Sequence, residues 1–347
     1  MVYHFYLTIA VPAIVAFIVT VAGTLFLMSY MKDAGVTAID HNKKGRPILA
    51  SGGGVAVSFG FAVGILTYVF GGSFSFYSPA SSLPYLFATV IAVFLISFVG
   101  FIDDINVQRK LVKTTDMMDT RKGLKQWQKP LLTLIGAIPL MAVNAGVATI
   151  NIPLLGAVDF GLFYPLIIIP LAVIFTSNAF NLLGGFDGIA TGTGLIAAAA
   201  LLLYSLVWGT YIGSIISGVL FATLLAFFFF NMYPARIIPG DSYTYAVGTG
   251  LLTVMVLGSA EAFGFIVFLP WLIEFFLHLR KKFHTTDLGK LNKDGTFSAP
   301  YGKKIYSWTH AIMNLRPMNE WQVSAAMWMV EIGFVALAFA MKAFRLV

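Results

Sequence analysis

Cysteine is absent from this sequence and charged residues are scarce. Charged residues make up 11% of the 347 residues, whereas soluble domains carry about 25%. The lack of cysteine excludes disulfides, cysteine-ligated zinc and thiol nucleophiles, and leaves the redox compartment undetermined. Apolar sequence dominates instead, with 59% hydrophobic residues and a mean hydropathy of +0.86. This composition predicts a polytopic integral membrane protein with an all-α fold.

Ten apolar runs are long enough to cross a bilayer as helices. The first has no basic residue ahead of it and is about twice as long as a signal-peptide core, so it is predicted to be a retained span. The chain is expected to form a single transmembrane domain over residues 1–347. A window of about 20 residues places the spans near 5–30, 50–71, 84–102, 130–147, 162–181, 188–208, 211–230, 243–259, 261–279 and 322–343.

Lysines and arginines fall on alternate loops of this arrangement. Twenty of the 22 basic residues follow spans 1, 3, 7 and 9, and only Lys342 and Arg345 lie elsewhere, at the C-terminal edge. The positive-inside rule then places both termini outside. Nucleic acid is excluded as a partner because the basic residues flank spans and form no groove with interleaved aromatics. The predicted cytoplasmic loops lie near 31–49, 103–129, 181–188, 231–242 and 280–321.

A polar stretch interrupts the apolar sequence at residues 178–188, which read Asn-Ala-Phe-Asn-Leu-Leu-Gly-Gly-Phe-Asp-Gly. Runs without any charge precede and follow it. Irregular backbone at membrane depth is tolerated where it lines a cavity, because its polar groups must find partners there. We therefore expect this stretch to form part of a functional site.

Four aspartates are predicted to share the cytoplasmic face with that stretch: Asp103, Asp104, Asp187 and Asp241. Asp103 and Asp104 are adjacent at the end of span 3, and consecutive helical residues point about 100° apart. Both carboxylates therefore need not reach one ligand, and a solvated helix end is the alternative interpretation.

Asp241 follows a loop with two prolines and Gly240 and precedes span 8. An aspartate at this position is a natural helix N-cap. Alternatively, its carboxylate and the Asn181 amide could supply oxygen ligands to Mg²⁺ together with waters and phosphate oxygens.

Two basic loops add weaker signals. Residues 41–54 combine basic side chains, Arg46 among them, with a glycine run that could cradle phosphate; they lack the spacing of a P-loop, and a small-residue helix start is the alternative. The loop at 280–320 holds His284, His310 and eight basic residues, with surface histidines as the simpler interpretation. Glu274 and Glu331 lie inside predicted spans and are functional candidates without an assigned role.

These features together predict a metal-dependent site on the cytoplasmic face for a phosphorylated, amphiphilic substrate. A secondary transporter of a phosphorylated or anionic solute is the main alternative, although transporters place broken helices and charges near the midplane. A non-catalytic scaffold is the other alternative. Release of UMP by the purified protein would separate the three.

Three motifs resemble the polyprenyl-phosphate N-acetylhexosamine-1-phosphate transferases of glycosyltransferase family 4, most closely the dolichyl-phosphate branch of archaea and eukaryotes. They are Gly-Phe-Ile-Asp-Asp at 100–104, the stretch at 178–188, and Phe-Asn-Met-Tyr-Pro-Ala-Arg with Gly-Asp-Ser at 230–242. The resemblance implies transfer of a sugar-1-phosphate from a UDP-N-acetylhexosamine, foremost UDP-GlcNAc, to a polyprenyl or dolichyl phosphate, with release of UMP. It also implies the cell membrane as location if the source is prokaryotic. The sequence leaves the oligomeric state undetermined, with a homodimer as one candidate.

The resemblance also assigns roles to individual residues. It implies Mg²⁺ ligation, with Mn²⁺ as an alternative, by Asp241 and Asn181. Single displacement by the lipid phosphate is the preferred mechanism, and a covalent aspartyl intermediate is the alternative. The residues implied in catalysis are Asp103, Asp104 and Lys129, and those predicted to bind substrate are Asp187, Asn231, Arg46, His284 and Lys125.

This chain departs from the bacterial cell-wall members of the family at two places. Gly184 stands where those members have an aspartate, and the histidines of the last loop are scattered, not consecutive. Both departures argue against a muramyl-pentapeptide substrate. Lys281-Lys282-Phe283-His284 is an approximate counterpart of the basic-histidine-basic cluster of the dolichyl branch.

Overall fold

The computed structural model describes residues 2–74, 82–114, 117–152 and 156–344. Arg345, which sequence analysis placed at the C-terminal edge, lies outside the described residues. The described chain is mostly helical. Its α-helices are α1 (Val2–Asp33), α2 (Gly54–Ser73), α3 (Leu83–Asp104), α4 (Gln128–Thr133), α5 (Ile138–Ala142), α6 (Ile169–Phe180), α7 (Ile189–Val207), α8 (Tyr211–Asn231), α9 (Gly240–Leu257), α10 (Glu261–Val267), α11 (Leu269–Leu279), α12 (Trp308–Leu315) and α13 (Glu320–Ala343).

Within the part of the chain that the structure describes, six helices are long and apolar enough to cross a membrane, which confirms a polytopic membrane protein. A seventh span is present if α10 and α11, which meet at a bend of 55°, are counted as one. The six are Leu7–Asp33, Gly54–Ser73, Leu83–Asp104, Ile189–Val207, Tyr211–Asn231 and Glu320–Ala343.

The other three predicted spans also fall on helical segments, but these segments are shorter or more polar. Helices α4 and α5 are joined by a 3₁₀ turn (Leu134–Ala137), and α6 continues a π-helical turn (Tyr164–Ile168). Prolines in the first turn of α5 and of α6 interrupt the regular ladder, because proline has no amide hydrogen to donate. Helix α9 begins with a polar sequence.

Among the described residues, four two-stranded antiparallel sheets occupy loops, and the expectation of helices alone missed them. They pair β1 (Thr37–Ile39) with β2 (Ile48–Ala50), β3 (Val107–Thr114) with β4 (Met117–Arg121), β5 (Thr149–Ile152) with β6 (Gly156–Asp159), and β7 (Lys290–Leu291) with β8 (Phe297–Ser298). Each is a local hairpin that satisfies main-chain hydrogen bonds within its own loop.

Helix α9 lies at the centre of the fold. Every residue from Ser242 to Leu257 is buried, and α9 contacts α2, α3, α6, α7 and α8. Glycines set the closest approaches: a Cβ on Gly100 of α3 or Gly54 of α2 would overlap the main chain at the start of α9. Small residues let helix backbones approach closely in membrane proteins. The first residues of α9, Asp241 among them, are thereby held where α2 and α3 converge.

Candidate active site

Asp104 anchors the first turn of α9. Its side chain is fully buried, and its Oδ1 accepts the Asp241 amide at 2.8 Å while its Oδ2 accepts the Ser242 amide at 3.1 Å and the Ser242 hydroxyl at 2.6 Å. Gly240 has φ of +76°, and a Cβ there would strike the Asp104 carboxylate. A carboxylate at a helix N-terminus satisfies free amides and complements the helix dipole. The second aspartate of the predicted catalytic pair therefore positions Asp241.

Asp103, Lys129 and Asp241 form an ion-paired cluster. The Lys129 ammonium lies 3.0 Å from Asp103 Oδ2 and 2.6 Å from Asp241 Oδ2. The Leu124 amide also donates to Asp103 Oδ1. These side chains come from α3, α4 and α9, so the structure brings together three of the residues that the sequence motifs singled out.

Asn181, the residue that follows α6, completes the group. Its Nδ2 donates to Asp241 Oδ2 at 3.2 Å, and its Oδ1 accepts the Thr244 hydroxyl at 2.8 Å. Thr244 lies three residues beyond Asp241 and faces the same side of α9. The predicted metal ligands Asp241 and Asn181 are therefore neighbours. We name Asp103, Lys129, Asp241 and Asn181 the α9 cluster.

A second ion-paired cluster surrounds Asp187. Its Oδ2 accepts Lys43 Nζ at 2.5 Å and the Ala235 amide at 2.8 Å. Lys43 also contacts Asp40 at 3.2 Å and Glu320 at 2.7 Å. The three carboxylates could supply oxygen ligands within 4.8 Å of one another, but the Lys43 ammonium already contacts all three. We name Asp40, Lys43, Asp187 and Glu320 the Lys43 cluster.

Asp187 and Lys43 of this cluster both have shifted pKa values. Burial raises the pKa of the Asp187 carboxyl, and its hydrogen bond to Lys43 opposes that shift. Burial acts to lower the pKa of Lys43, but hydrogen bonds to Asp187 and Glu320 raise it above its ordinary value. Lys43 therefore stays charged at neutral pH and offsets part of the negative charge around it.

One cavity of about 270 Å³ lies between the two clusters. Its lining includes Asn181 and Asp241 of the α9 cluster and Asp40 and Asp187 of the Lys43 cluster. Asn231 also lines it, although its amide is engaged by the Thr191 hydroxyl and the Ile237 carbonyl. The other residues that line the cavity are Ala38, Ile39, His41, Asn42, Gly184, Gly185, Phe186, Ala190, Ile238, Pro239, Gly240, Thr244, Asp287 and Leu288.

Three predicted substrate-binding residues lie outside this lining. Arg46, Lys125 and His284 are exposed. The Lys125 amide donates to Gln128 Oε1, and His284 Nδ1 contacts the Lys282 carbonyl at 2.8 Å. The structure places them on loops around the site, and their predicted contact with substrate remains a prediction.

Sequence analysis missed Asp287. Its Oδ2 accepts the amides of Gly184 and Gly185, so the last loop is attached to the 181–188 stretch. A Cβ on Gly185 would overlap the Asp287 carboxyl group, which explains a glycine at that position. The signal for it in the sequence was an acid that stands three residues after His284 in a basic loop.

Glu274 and Glu331, which had no assigned role, differ in their contacts. The fully buried Glu274 accepts the amide of Trp308 at 2.8 Å and contacts His278 Nε2 at 3.0 Å. It therefore caps α12 and holds the last loop against α11. Glu331 is fully buried in α13, and neither carboxylate oxygen has a hydrogen-bond partner among the described residues.

Comparison with known proteins agrees with these motifs. The family model for Glycosyl transferase family 4 matches residues 86–259. A protein of Saccharolobus solfataricus is 30% identical to this chain over 338 residues, which cover 97% of both chains. It carries the name UDP-N-acetylglucosamine–dolichyl-phosphate N-acetylglucosaminephosphotransferase. The Dictyostelium discoideum protein of that name is 25% identical over 70% of this chain and 64% of its own.

Bacterial relatives match less of the chain. The phospho-N-acetylmuramoyl-pentapeptide-transferase of Halalkalibacterium halodurans is 29% identical over 250 residues, or 70% of each chain. The resemblance inferred from the three motifs is thus confirmed. The chain belongs to glycosyl transferase family 4 and is a membrane enzyme of the phosphotransferase type.

Proposed function

We propose that this enzyme transfers N-acetylhexosamine-1-phosphate, and GlcNAc-1-phosphate first of all, from a UDP-sugar to a polyprenyl or dolichyl phosphate and releases UMP. The product would be the first lipid-linked sugar of an N-glycan-type assembly. The observation that carries the proposal is the α9 cluster, in which acids, an amide and a lysine from four separate segments meet beside one cavity. The names of relatives that align over nearly the whole chain support the substrate class.

The donor atoms of the α9 cluster fit Mg²⁺, with Mn²⁺ as the alternative, because carboxylate and amide oxygens are the ligands such ions prefer. The Asn181 amide oxygen now faces Thr244. Half a turn of the amide would direct this oxygen to Asp241, and the Thr244 hydroxyl, which can donate or accept, would keep its partner. Bound there, the ion would neutralise charge on the donor diphosphate.

The chain's own residues then account for a single displacement. An oxygen of the lipid phosphate forms a bond to the sugar-linked phosphorus, and the bond from that phosphorus to the UMP oxygen breaks as UMP leaves with the electron pair. Lys129 brings positive charge to the phosphoryl oxygens. Asp103 accepts the proton of a monoprotonated lipid phosphate; the alternative covalent route would use it as nucleophile. Asp104 is committed to α9 by its hydrogen bonds.

An apolar cavity of about 240 Å³ supports a lipid substrate. It lies among α6, α9, α10 and α11, and its lining includes Ala172, Phe175, Leu252 and Phe268. Phe175 is six residues before Asn181 on the same helical segment. This cavity could accommodate part of a hydrocarbon tail while the phosphate reaches the α9 cluster.

The proposal includes ten membrane-crossing segments, both termini outside and an active site on the cytoplasmic face. The absence of cysteine makes the topology simple to test by single-cysteine labelling. A membrane-impermeant maleimide should label Asp159→Cys in intact cells and should label Lys303→Cys only after permeabilisation. The opposite pattern would invert the topology. Both residues are exposed, so differences in burial would not produce the result.

The activity is tested with purified protein in detergent, a UDP-sugar and a lipid phosphate. UMP release should require both substrates and a divalent cation. UDP-GlcNAc should be the best donor in a panel that includes UDP-GalNAc and UDP-N-acetylmuramoyl-pentapeptide. Solute uptake into proteoliposomes without UMP release would instead favour the transporter.

A further inference from the structure

Helix α13 lies outside the family-matched residues 86–259, yet three of its side chains contact the polar stretch at the cavity. Glu320, Ser324 and Trp328 are spaced four residues apart, so they lie along one face of the helix on successive turns. Glu320 and Ser324 are almost completely buried. This face meets residues 186–188, which we name the 186–188 turn.

All three side chains bind main-chain groups of this turn. Glu320 Oε1 accepts the Asp187 amide at 3.2 Å, and the Ser324 hydroxyl donates to the Asp187 carbonyl at 2.7 Å. The Trp328 indole nitrogen donates to the Gly188 carbonyl at 2.8 Å. Gly188 has φ of +76° and precedes α7. The path of the chain into α7 is therefore set by contacts from α13.

Helix α7 leaves room for the indole ring. A Cβ on Gly192 would overlap the Trp328 ring, and a Cβ on Gly188 would lie 3.2 Å from it. Phe228 packs edge-on against the same ring with centroids 5.5 Å apart. These contacts fix the indole nitrogen beside the carbonyl that it binds.

The 186–188 turn forms one wall of the site cavity, through Phe186 and Asp187. Asp103 and Lys129, by contrast, are not among the residues that line the cavity. A change in the turn should therefore alter the shape of the cavity without moving Asp103 or Lys129.

We propose that Glu320, Ser324 and Trp328 are positioning residues that determine affinity for the donor nucleotide by holding the 186–188 turn. This inference rests on the proposed function, since it takes a UDP-sugar as the cavity's ligand. It separates two roles: α13 governs donor binding, and the α9 cluster governs phosphoryl transfer. The Glu320 contact to Lys43 at 2.7 Å joins α13 to the Lys43 cluster and so extends the same wall.

The test uses two variants that each remove one hydrogen-bond donor. Trp328→Phe deletes the indole N–H, and Ser324→Ala deletes the hydroxyl. Each should raise the KM for UDP-GlcNAc about five-fold, the usual effect of one lost hydrogen bond, and should leave kcat and the KM for dolichyl phosphate within about two-fold. UDP-GlcNAc binding without lipid, measured by calorimetry, should weaken by the same factor. Trp321→Phe is the matched control, because Trp321 lies on the same helix and is 52% exposed.

An unchanged donor KM in both variants would overturn the proposal, as would an equal loss in the Trp321→Phe control. A fall in kcat at constant donor KM would also overturn it, because the turn would then act on chemistry. If Trp328→Phe does not fold, Ser324→Ala decides the matter. Wild-type protein that binds UDP-GlcNAc without releasing UMP would refute the proposed function alone, and binding would still test the α13 contacts. Wild-type protein that neither binds nor reacts would reject both.

Discussion

The two lysine-centred clusters that flank the cavity differ in what they hold. In the α9 cluster, Lys129 bridges two carboxylates through side-chain contacts, and the Leu124 amide donates to one of them, Asp103. In the Lys43 cluster, the lysine bridges three carboxylates, and the main-chain amides of Asp187 and Ala235 are bound as well. In the proposed mechanism, the side-chain contacts of the α9 cluster exchange for contacts to phosphate when substrate binds. Main-chain contacts maintain the shape of the cavity. The proposed function therefore assigns phosphoryl transfer to the α9 cluster and support of the cavity wall to the Lys43 cluster.

The largest effect is expected from a change at Asp241, and an acid that lies outside both clusters serves as its control. Asp241→Asn should lower UMP release by about 10³-fold, because it removes a carboxylate ligand of the proposed Mg²⁺, the ion that neutralises the reacting phosphates. Chelation of divalent cations should abolish turnover in the wild type. Rates are measured with both substrates saturating, and Asp294→Asn, an exposed change in the last loop, should remain active. Normal turnover by Asp241→Asn would refute the metal assignment.

Matched lysine substitutions compare the clusters directly. Lys129→Met should lower kcat by about 10²-fold through loss of phosphate neutralisation. Lys43→Met should instead lower the free energy of unfolding by about 3 kcal/mol, because it leaves partly buried carboxylates unpaired. Steady-state kinetics and thermal unfolding in detergent measure the two effects. The contrast between the clusters fails if both variants lose activity without losing stability.

A smaller effect, on the pH dependence of stability, is expected from the last loop. This loop attaches to the cavity lining at Gly184 and Gly185 through Asp287. His310 holds this loop: its Nδ1 accepts the Tyr306 amide at 3.2 Å, and its Nε2 lies 2.9 Å from the Thr286 carbonyl. This arrangement requires the neutral ring, and burial lowers the pKa of His310.

Because the folded pKa is below the unfolded value, the stability from neutral His310 is complete above about pH 6.5 and is lost as the pH falls towards the folded pKa. The loss should be about 1 kcal/mol, the scale of one hydrogen bond. Thermal unfolding between pH 7.5 and 5 should therefore depend less on pH in His310→Gln than in the wild type. Equal slopes would exclude His310 as the titrating group.

Sequence reasoning predicted the helical segments well, since long apolar runs must form helices to satisfy their main chain in lipid. It also selected Asp103, Lys129, Asn181 and Asp241 for one site before any distance was known. It missed the four hairpins, because strands of two to eight residues in polar loops have no distinctive period. It missed Asp287 and Glu320 because their partners are more than 100 residues away.

The adjacent aspartates show where sequence reasoning reached its limit. Their 100° separation on a helix left open whether both served one ligand, and the structure directs Asp103 to Lys129 and Asp104 to the first turn of α9. Sequence alone determined that the chain is a helical membrane protein with a particular set of polar motifs, because hydropathy and motif spacing are local properties of a chain. Only tertiary structure decided that Lys129 pairs with Asp103 and Asp241 while Lys43 pairs with Asp187, because those choices depend on contacts between segments far apart in sequence.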